Sequence, residues 1–207
     1  MHSSPSRTDF RFSLAGRLGI AVATALIWLM LAGMAWAATI LLLSGEGVGA
    51  LSLGAAAILF VLLGNIILRD CRMRWRWRIL LGEAQATLFL PAGRLLFGPA
   101  PPVAETLSYA AIRRIEWREE ITSSLGLTTI NRVYGVRMKE GGVILLGEDR
   151  PIPKTTRYTA LTGDAARALA KAAGVPVRQL ETAQGAGGFL TLWGTRRPDW
   201  PAGKISM

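Results

Sequence analysis

The apolar positions of this 207-residue chain are crowded toward one end. Residues 18–43, LGIAVATALIWLMLAGMAWAATILLL, carry no charge, and two threonines are their only polar side chains. Residues 48–68, VGALSLGAAAILFVLLGNIIL, are also uncharged, with Ser52 and Asn65 as polar groups. A helix rises about 1.5 Å per residue, so about 20 residues cross a hydrocarbon core roughly 30 Å thick. Both runs are long enough. A core helix of a soluble protein would show a charged face, and neither run has one. The intervening SGEG, residues 44–47, leaves room only for a tight connection. The pattern predicts two antiparallel transmembrane helices forming a hairpin.

After Leu81 the period shortens. ATLFLP (86–91) reads as a strand, Pro91-Ala92-Gly93 as a turn and RLLFG (94–98) as the strand that completes a hairpin. Pro99, Pro101 and Pro102 break the chain. ETLSY (105–109) follows. AIRRIEWREEI (111–121) then places Ile115, Trp117 and Ile121 at alternating positions, and SSLG (123–126) reads as a loop. INRVYGVRMKE (130–140) alternates Tyr134, Val136 and Met138 against Val133, Gly135 and Arg137. Gly141-Gly142 is a hairpin turn signal, and VILLG (143–147) closes that hairpin. The spacing of Ala165, Ala168, Leu169 and Ala172 predicts an amphipathic helix over 163–173. Thr162 or Asp164 would cap its start, Gly174 stands where a C′ glycine belongs, and Pro176 lies beyond.

Charge then orients the hairpin. The net charge is +10. Arg7, Arg11 and Arg17 precede the first run, five arginines lie between Arg69 and Arg78, and the SGEG loop has none. The positive-inside rule places both flanks in the cytoplasm and the loop outside. The expected location is a cell (inner) membrane, multi-pass, with both termini cytoplasmic. The alanine- and arginine-rich composition fits a bacterial source. One rival reading is a cleaved signal peptide with an A-x-A site at Ala35-Trp36-Ala37. The apolar run continues without a polar break to Leu43, longer than such a segment, so the anchor reading is kept. Gly19 with Ala23, Gly33 with Ala37, and Ala50 with Gly54 have the four-residue spacing that permits close helix packing. Asn65 reads as a solvated interfacial amide.

The most distinctive stretch is RDCRMRWRWR (69–78). Arginines there reach lipid phosphates while tryptophans favour the interface. Arg69, Arg72, Arg74, Trp75, Arg76, Trp77 and Arg78 are therefore the expected membrane-interface residues; the plain reading is a stop-transfer flank that only fixes topology, and specific anionic-lipid binding is the sharper alternative. Their position beside the apolar runs makes lipid, not nucleic acid, the natural counter-charge.

The order of short strands ending in one helix, after a two-helix anchor, resembles the bacterial pleckstrin-homology-like (PH-like) domains. YAAIRRIEWREE, KEGGVILLGEDR and DAARALAKAAGVPV carry the resemblance, over residues 82–177. It implies an α+β, mainly antiparallel domain: a bent β-barrel capped by one C-terminal helix, used for binding or scaffolding. Eukaryotic relatives bind phosphoinositides through a basic loop. The corresponding turn here, PAGR, has a single arginine and does not support that activity. The expected organisation is a tail at 1–17, the hairpin at 18–68, a juxtamembrane segment at 69–81, the PH-like domain at 82–177, and a glycine-containing linker with an aromatic tail at 178–207. Phe189, Trp193, Arg196, Arg197 and Trp200 in that tail are candidates to dock on a partner, on the chain's own domain, or on the membrane interface; the alternative is an unstructured tail with incidental tryptophans.

Catalytic chemistry has little to stand on. The only histidine is His2, so no internal histidine can serve as base or metal ligand. Cys71 is the only cysteine, which excludes an intrachain disulfide and fits a reducing compartment. It reads as an inert thiol, with acylation or redox chemistry as the sharper alternative. Glu119 and Glu120 point to opposite strand faces and read as a solvated edge. Glu148, Asp149 and Arg150 read as a charged turn. GEGVG (45–49) and GAGG (185–188) lack the lysine and the strand–helix context of a phosphate loop. No catalytic residue, metal site or cofactor is assigned. The expected function is a non-enzymatic membrane-anchored interaction or scaffold protein, an accessory or assembly subunit whose partner is another membrane protein. The alternative is a sensor of anionic lipid. A channel or transporter is disfavoured because neither span holds a charge.

Overall fold

The structure, a computed structural model, describes residues 8–95, 100–124, 127–185 and 197–201. It forms two compact units, one of Phe12–Trp75 and one of Met1–Arg11 with Arg76–Met207.

The first unit is a pair of helices, α1 (Leu14–Leu43) and α2 (Gly47–Arg76). Ser13 caps α1 by accepting the Gly16 N–H at 3.1 Å. Gly45 adopts φ +84° in the connecting turn, a conformation that favours glycine. Both helices are long and apolar enough to cross a membrane, by length and composition. The polar side chains within the two uncharged runs bond locally. Thr24, Thr39, Ser52 and Asn65 each donate to the carbonyl four residues back. An apolar solvent demands that arrangement. Asn65 thus bonds to Val61 of its own helix. Of the small residues with four-residue spacing, the glycines make no close helix contact: a Cβ on Gly19, Gly33 or Gly54 would meet nothing within 4 Å. The helices approach closely at Gly49, where a Cβ would lie 3.3 Å from Leu41 Cδ1, and at Gly64, where it would lie 3.4 Å from Ile27 Cγ2.

The second unit is an antiparallel-rich sheet domain with one helix. One sheet has the order β1-β2-β3-β4, from β1 (Thr8–Arg11), β2 (Arg78–Leu81), β3 (Gln85–Leu90) and β4 (Val103–Ser108). The other contains β5 (Ile112–Ser124), β6 (Leu127–Met138) and β7 (Val143–Asp149), with the order β7-β6-β5-β8. The short strands β8 (Val177–Gln179) and β9 (Ala183–Gln184) run parallel to β5. Helix α3 (Leu161–Ala173) lies between β7 and β8 in sequence and packs against strands of both sheets. Ala165, Ala166, Leu169 and Ala170 are its buried stripe. The strands contribute Ile79, Leu88, Ile112, Ile115, Val136 and Leu146, all essentially buried.

Several boundaries depart from the sequence reading. The N-terminal tail supplies β1, which pairs with β2 through Phe10↔Ile79 and Arg11↔Arg78. The stretch 69–81 is not one segment: α2 runs to Arg76, and Arg78–Leu81 is a sheet strand. The partner of β3 is β4, through Leu88↔Glu105, and not the stretch beginning at Arg94. Arg94 and Leu95 lie buried in a loop, and residues 96–99 fall outside the described residues. Ser123 and Ser124 belong to β5 and not to the expected loop at 123–126, and 125–126 fall outside the described residues. The chain after Pro176 pairs in parallel with β5, a pairing that no local sequence signal marks. The Ile115 N–H donates to the Pro176 carbonyl at 3.0 Å and begins it.

Candidate functional site

The arginine-rich stretch divides between the two units. Arg69, Arg72, Arg74 and Trp75 lie on the last turns of α2. Arg74 donates to Asp70 at 2.9 Å and lies over the Phe12 ring at 5.5 Å. Arg17 lies over Trp75 at 4.8 Å, and Trp75 stays 46% exposed. Arg72 and Arg76 are exposed. Trp77 leaves the expected interface set. It is 2% exposed, and its indole N–H donates to the Leu146 carbonyl at 2.8 Å, so it is a core residue of the sheet domain. Arg78 sits on β2 and bonds both Asp9 oxygens of β1 at 2.9 Å. That hydrogen bond raises its pKa above the ordinary arginine value, with Asp9's charge adding to it.

The most unusual chemistry lies on one face of β5 and β6. Beyond an irregularity between Ile112 and Arg114, the strand alternates so that Arg114, Glu116, Arg118 and Glu120 share a face. Opposite them, in register, stand Arg137, Gly135, Val133 and Asn131. Glu116, Arg118, Glu120 and Arg137 are all buried. Glu116 accepts from Arg114 at 2.6 Å and from Arg137 at 2.8 Å. Burial would push the Glu116 carboxyl up, but the hydrogen bonds from Arg137, Trp200 and Arg114 outweigh it and hold it below the ordinary carboxylate value. Arg118 and Glu120 form an ion pair at 2.8 Å. Glu120 is therefore not on a solvated edge.

The segment 197–201 covers this face. Arg118 donates to the carbonyls of Asp199 at 2.9 Å and Pro198 at 2.6 Å. Arg137 donates to the Pro201 carbonyl at 2.7 Å. Arg197 pairs with Glu120 at 2.7 Å. Trp200 is 6% exposed, donates to Glu116 and lies 4.4 Å beneath the Arg118 guanidinium. Its ring is seated among Leu95, Ala100, Val133 and Val143. Gly135 makes room for it: a Cβ there would lie 2.9 Å from Val143 and 3.4 Å from the Trp200 ring. Of the tail candidates, Arg197 and Trp200 thus pack on their own domain, and Phe189, Trp193 and Arg196 lie outside the described residues. Arg94 borders the same region. It donates to the carbonyls of Leu145, Pro91 and Pro101, and its pKa falls to about 10 through burial and, secondly, the charge of Arg197. The residues missed by the sequence reading left one signal: the alternating signs of Arg114, Glu116, Arg118 and Glu120 at a strand's period of two.

A second buried acid is structural. Asp149 accepts the N–H groups of Thr162 at 3.1 Å and Gly163 at 2.9 Å, so it caps α3 from the end of β7. Neither Thr162 nor Asp164 is the cap, and Asp149 is not part of a solvated turn. Burial raises the Asp149 pKa above its ordinary value, against the lowering effect of these bonds. Glu148 pairs with Arg150 at 2.9 Å. No protein-family model, curated protein or solved structure matches this chain.

Proposed function

We propose that this protein is a two-span, inner-membrane scaffold that holds a PH-like domain at the cytoplasmic face and recruits another membrane protein, as an accessory or assembly subunit. The pairing of β1 with β2 carries this reading. The strand before the first apolar helix and the strand after the second belong to one sheet. A chain that leaves and re-enters the same sheet crosses a bilayer an even number of times, which fits the arginine asymmetry. The connections are short. Phe12 and Ser13 join β1 to α1, and Trp77 alone joins α2 to β2. A four-stranded sheet, a second sheet built on β5–β7, and the helix α3 after them suit the PH-like resemblance, and the role is non-enzymatic.

Crosslinking in native membranes, followed by mass spectrometry of what copurifies, tests the role. A stable multi-subunit assembly is expected. Recovery of the chain alone with bound anionic lipid contradicts it and favours the second reading, a lipid sensor. The arginines and Trp75 at the end of α2 motivate that alternative: each basic residue near an anionic surface adds about 1 kcal/mol. A sensor's binding to anionic vesicles would weaken as salt rises.

A further inference from the structure

We propose that the charged face of β5–β6 is a recognition site for an extended, proline-flanked tryptophan peptide, and that the chain's own Arg197–Pro201 occupies it as a displaceable, autoinhibitory ligand. The partner that competes for the site is a protein segment of the same chemistry.

The chemistry of the face motivates this. A sheet covered only for stability is best covered by apolar side chains, because burying charge has a large desolvation cost. Here Glu116, Arg118, Glu120 and Arg137 are buried beneath five residues. Two of the arginines are aimed at main-chain carbonyls. Arg118 forks onto Pro198 and Asp199, and Arg137 reaches Pro201. Contacts to carbonyls read an extended backbone, whatever its side chains. Prolines suit such a ligand, since they lack the N–H that the arginines could not satisfy and they pre-set an extended conformation. Sequence is read at one position. Trp200 fills an apolar seat while its N–H meets a carboxylate and its ring meets a guanidinium. An aromatic anchor in a pocket, ringed by weaker polar contacts, is the anatomy of a binding hot spot.

The present occupant is also imperfect. Arg197 reaches Glu120, but its Nη1 and Nη2 are buried with no hydrogen-bond acceptor among the described residues. Arg94, a second buried cation, bears on it electrostatically. A competitor without a cation at that position would shed this repulsion and keep the tryptophan and carbonyl contacts. This deepens the scaffold reading by naming the partner's chemistry. It rests on that reading only in that the partner is a protein, so peptide binding without a copurifying assembly would sink the scaffold reading alone.

The test uses the full chain in detergent and a fluorescent peptide RRPDWPAG, the sequence of residues 196–203. The wild-type site is filled, so the peptide binds weakly. A Trp200→Ala chain binds it at least roughly tenfold more tightly, and adding Glu116→Gln removes that gain. A peptide with alanine for its tryptophan does not bind. Equal affinity for wild type and Trp200→Ala overturns the proposal, as does no binding to a Trp200→Ala chain that still melts cooperatively. A second chain decides the matter should Trp200→Ala not fold. It keeps Trp200, carries a protease site after Gly188 and is cut while folded. Exchange of its own segment for labelled peptide is expected. Retention of the segment against excess peptide, or unfolding on cutting, overturns the proposal.

Discussion

The indole N–H of Trp200 donates to Oε2 of Glu116 across 2.6 Å, joining residues 84 positions apart. Glu116 is wholly buried and is held by Arg114 and Arg137 as well. Removing one member of a buried ion pair costs about 3–5 kcal/mol, because its partner is left uncompensated. Glu116→Ala should therefore destabilise the sheet domain by about that much in denaturant unfolding. Replacing Glu116, Arg114 and Arg137 together with apolar residues should recover much of the loss.

The same group sets a pH dependence. The Glu116 pKa is depressed in the folded state, so its stabilisation is fully present above the ordinary carboxylate value. That stabilisation is lost as pH falls from there through the folded pKa. Asp149 has the opposite sign. Its folded pKa is raised, so the folded state binds the proton more readily, and stability falls as pH rises from the ordinary aspartate value to the folded one. Melting profiles against pH should show the advantage of wild type over Asp149→Asn shrinking as pH rises across that window. A constant difference would contradict the assignment.

Trp75 and Trp77 separate anchor from core. Trp75 is largely exposed at the end of α2, whereas Trp77 is buried with its N–H satisfied by Leu146. Trp77→Ala should cost about 3–5 kcal/mol of domain stability. Trp75→Ala should leave the melting of the sheet domain nearly unchanged. Equal effects would contradict the division.

Gly163 admits no side chain. A Cβ there would lie 2.7 Å from the Tyr134 hydroxyl and 2.9 Å from Asp149 Oδ2. Burial, then the charge of Asp149, already lifts the Tyr134 pKa to about 12. Gly163→Ala should destabilise by about 1–3 kcal/mol, the usual cost of overpacking. Gly141→Ala would meet no atom within 4 Å, and its cost should come from its φ of +106° alone.

The elements whose signal is local were legible in the sequence. Two uncharged runs gave α1 and α2, the Gly141-Gly142 turn gave the β6–β7 hairpin, and the alanine–leucine stripe with Gly174 gave α3. What depends on distant partners was not. Thr8–Arg11 has no strand signal of its own and becomes one because β2 offers it an edge. Trp77 reads as an interface residue among five arginines until the sheet domain encloses it. Glu120 reads as exposed because an acid on a strand usually is, and the segment at 197–201, some eighty positions away, covers that face. Asp149 is separated from the helix it caps by more than a turn's length of chain.

The claim on which the role depends is that the two apolar helices cross a bilayer and return to the sheet they left. Thiol accessibility in intact cells tests it directly, in a Cys71→Ser chain carrying either Glu46→Cys in the α1–α2 turn or Thr8→Cys on β1. A membrane-impermeant maleimide should label position 46 from outside, and position 8 only after the cells are opened. Labelling of position 8 in sealed cells, or protection of position 46 until lysis, would contradict the account.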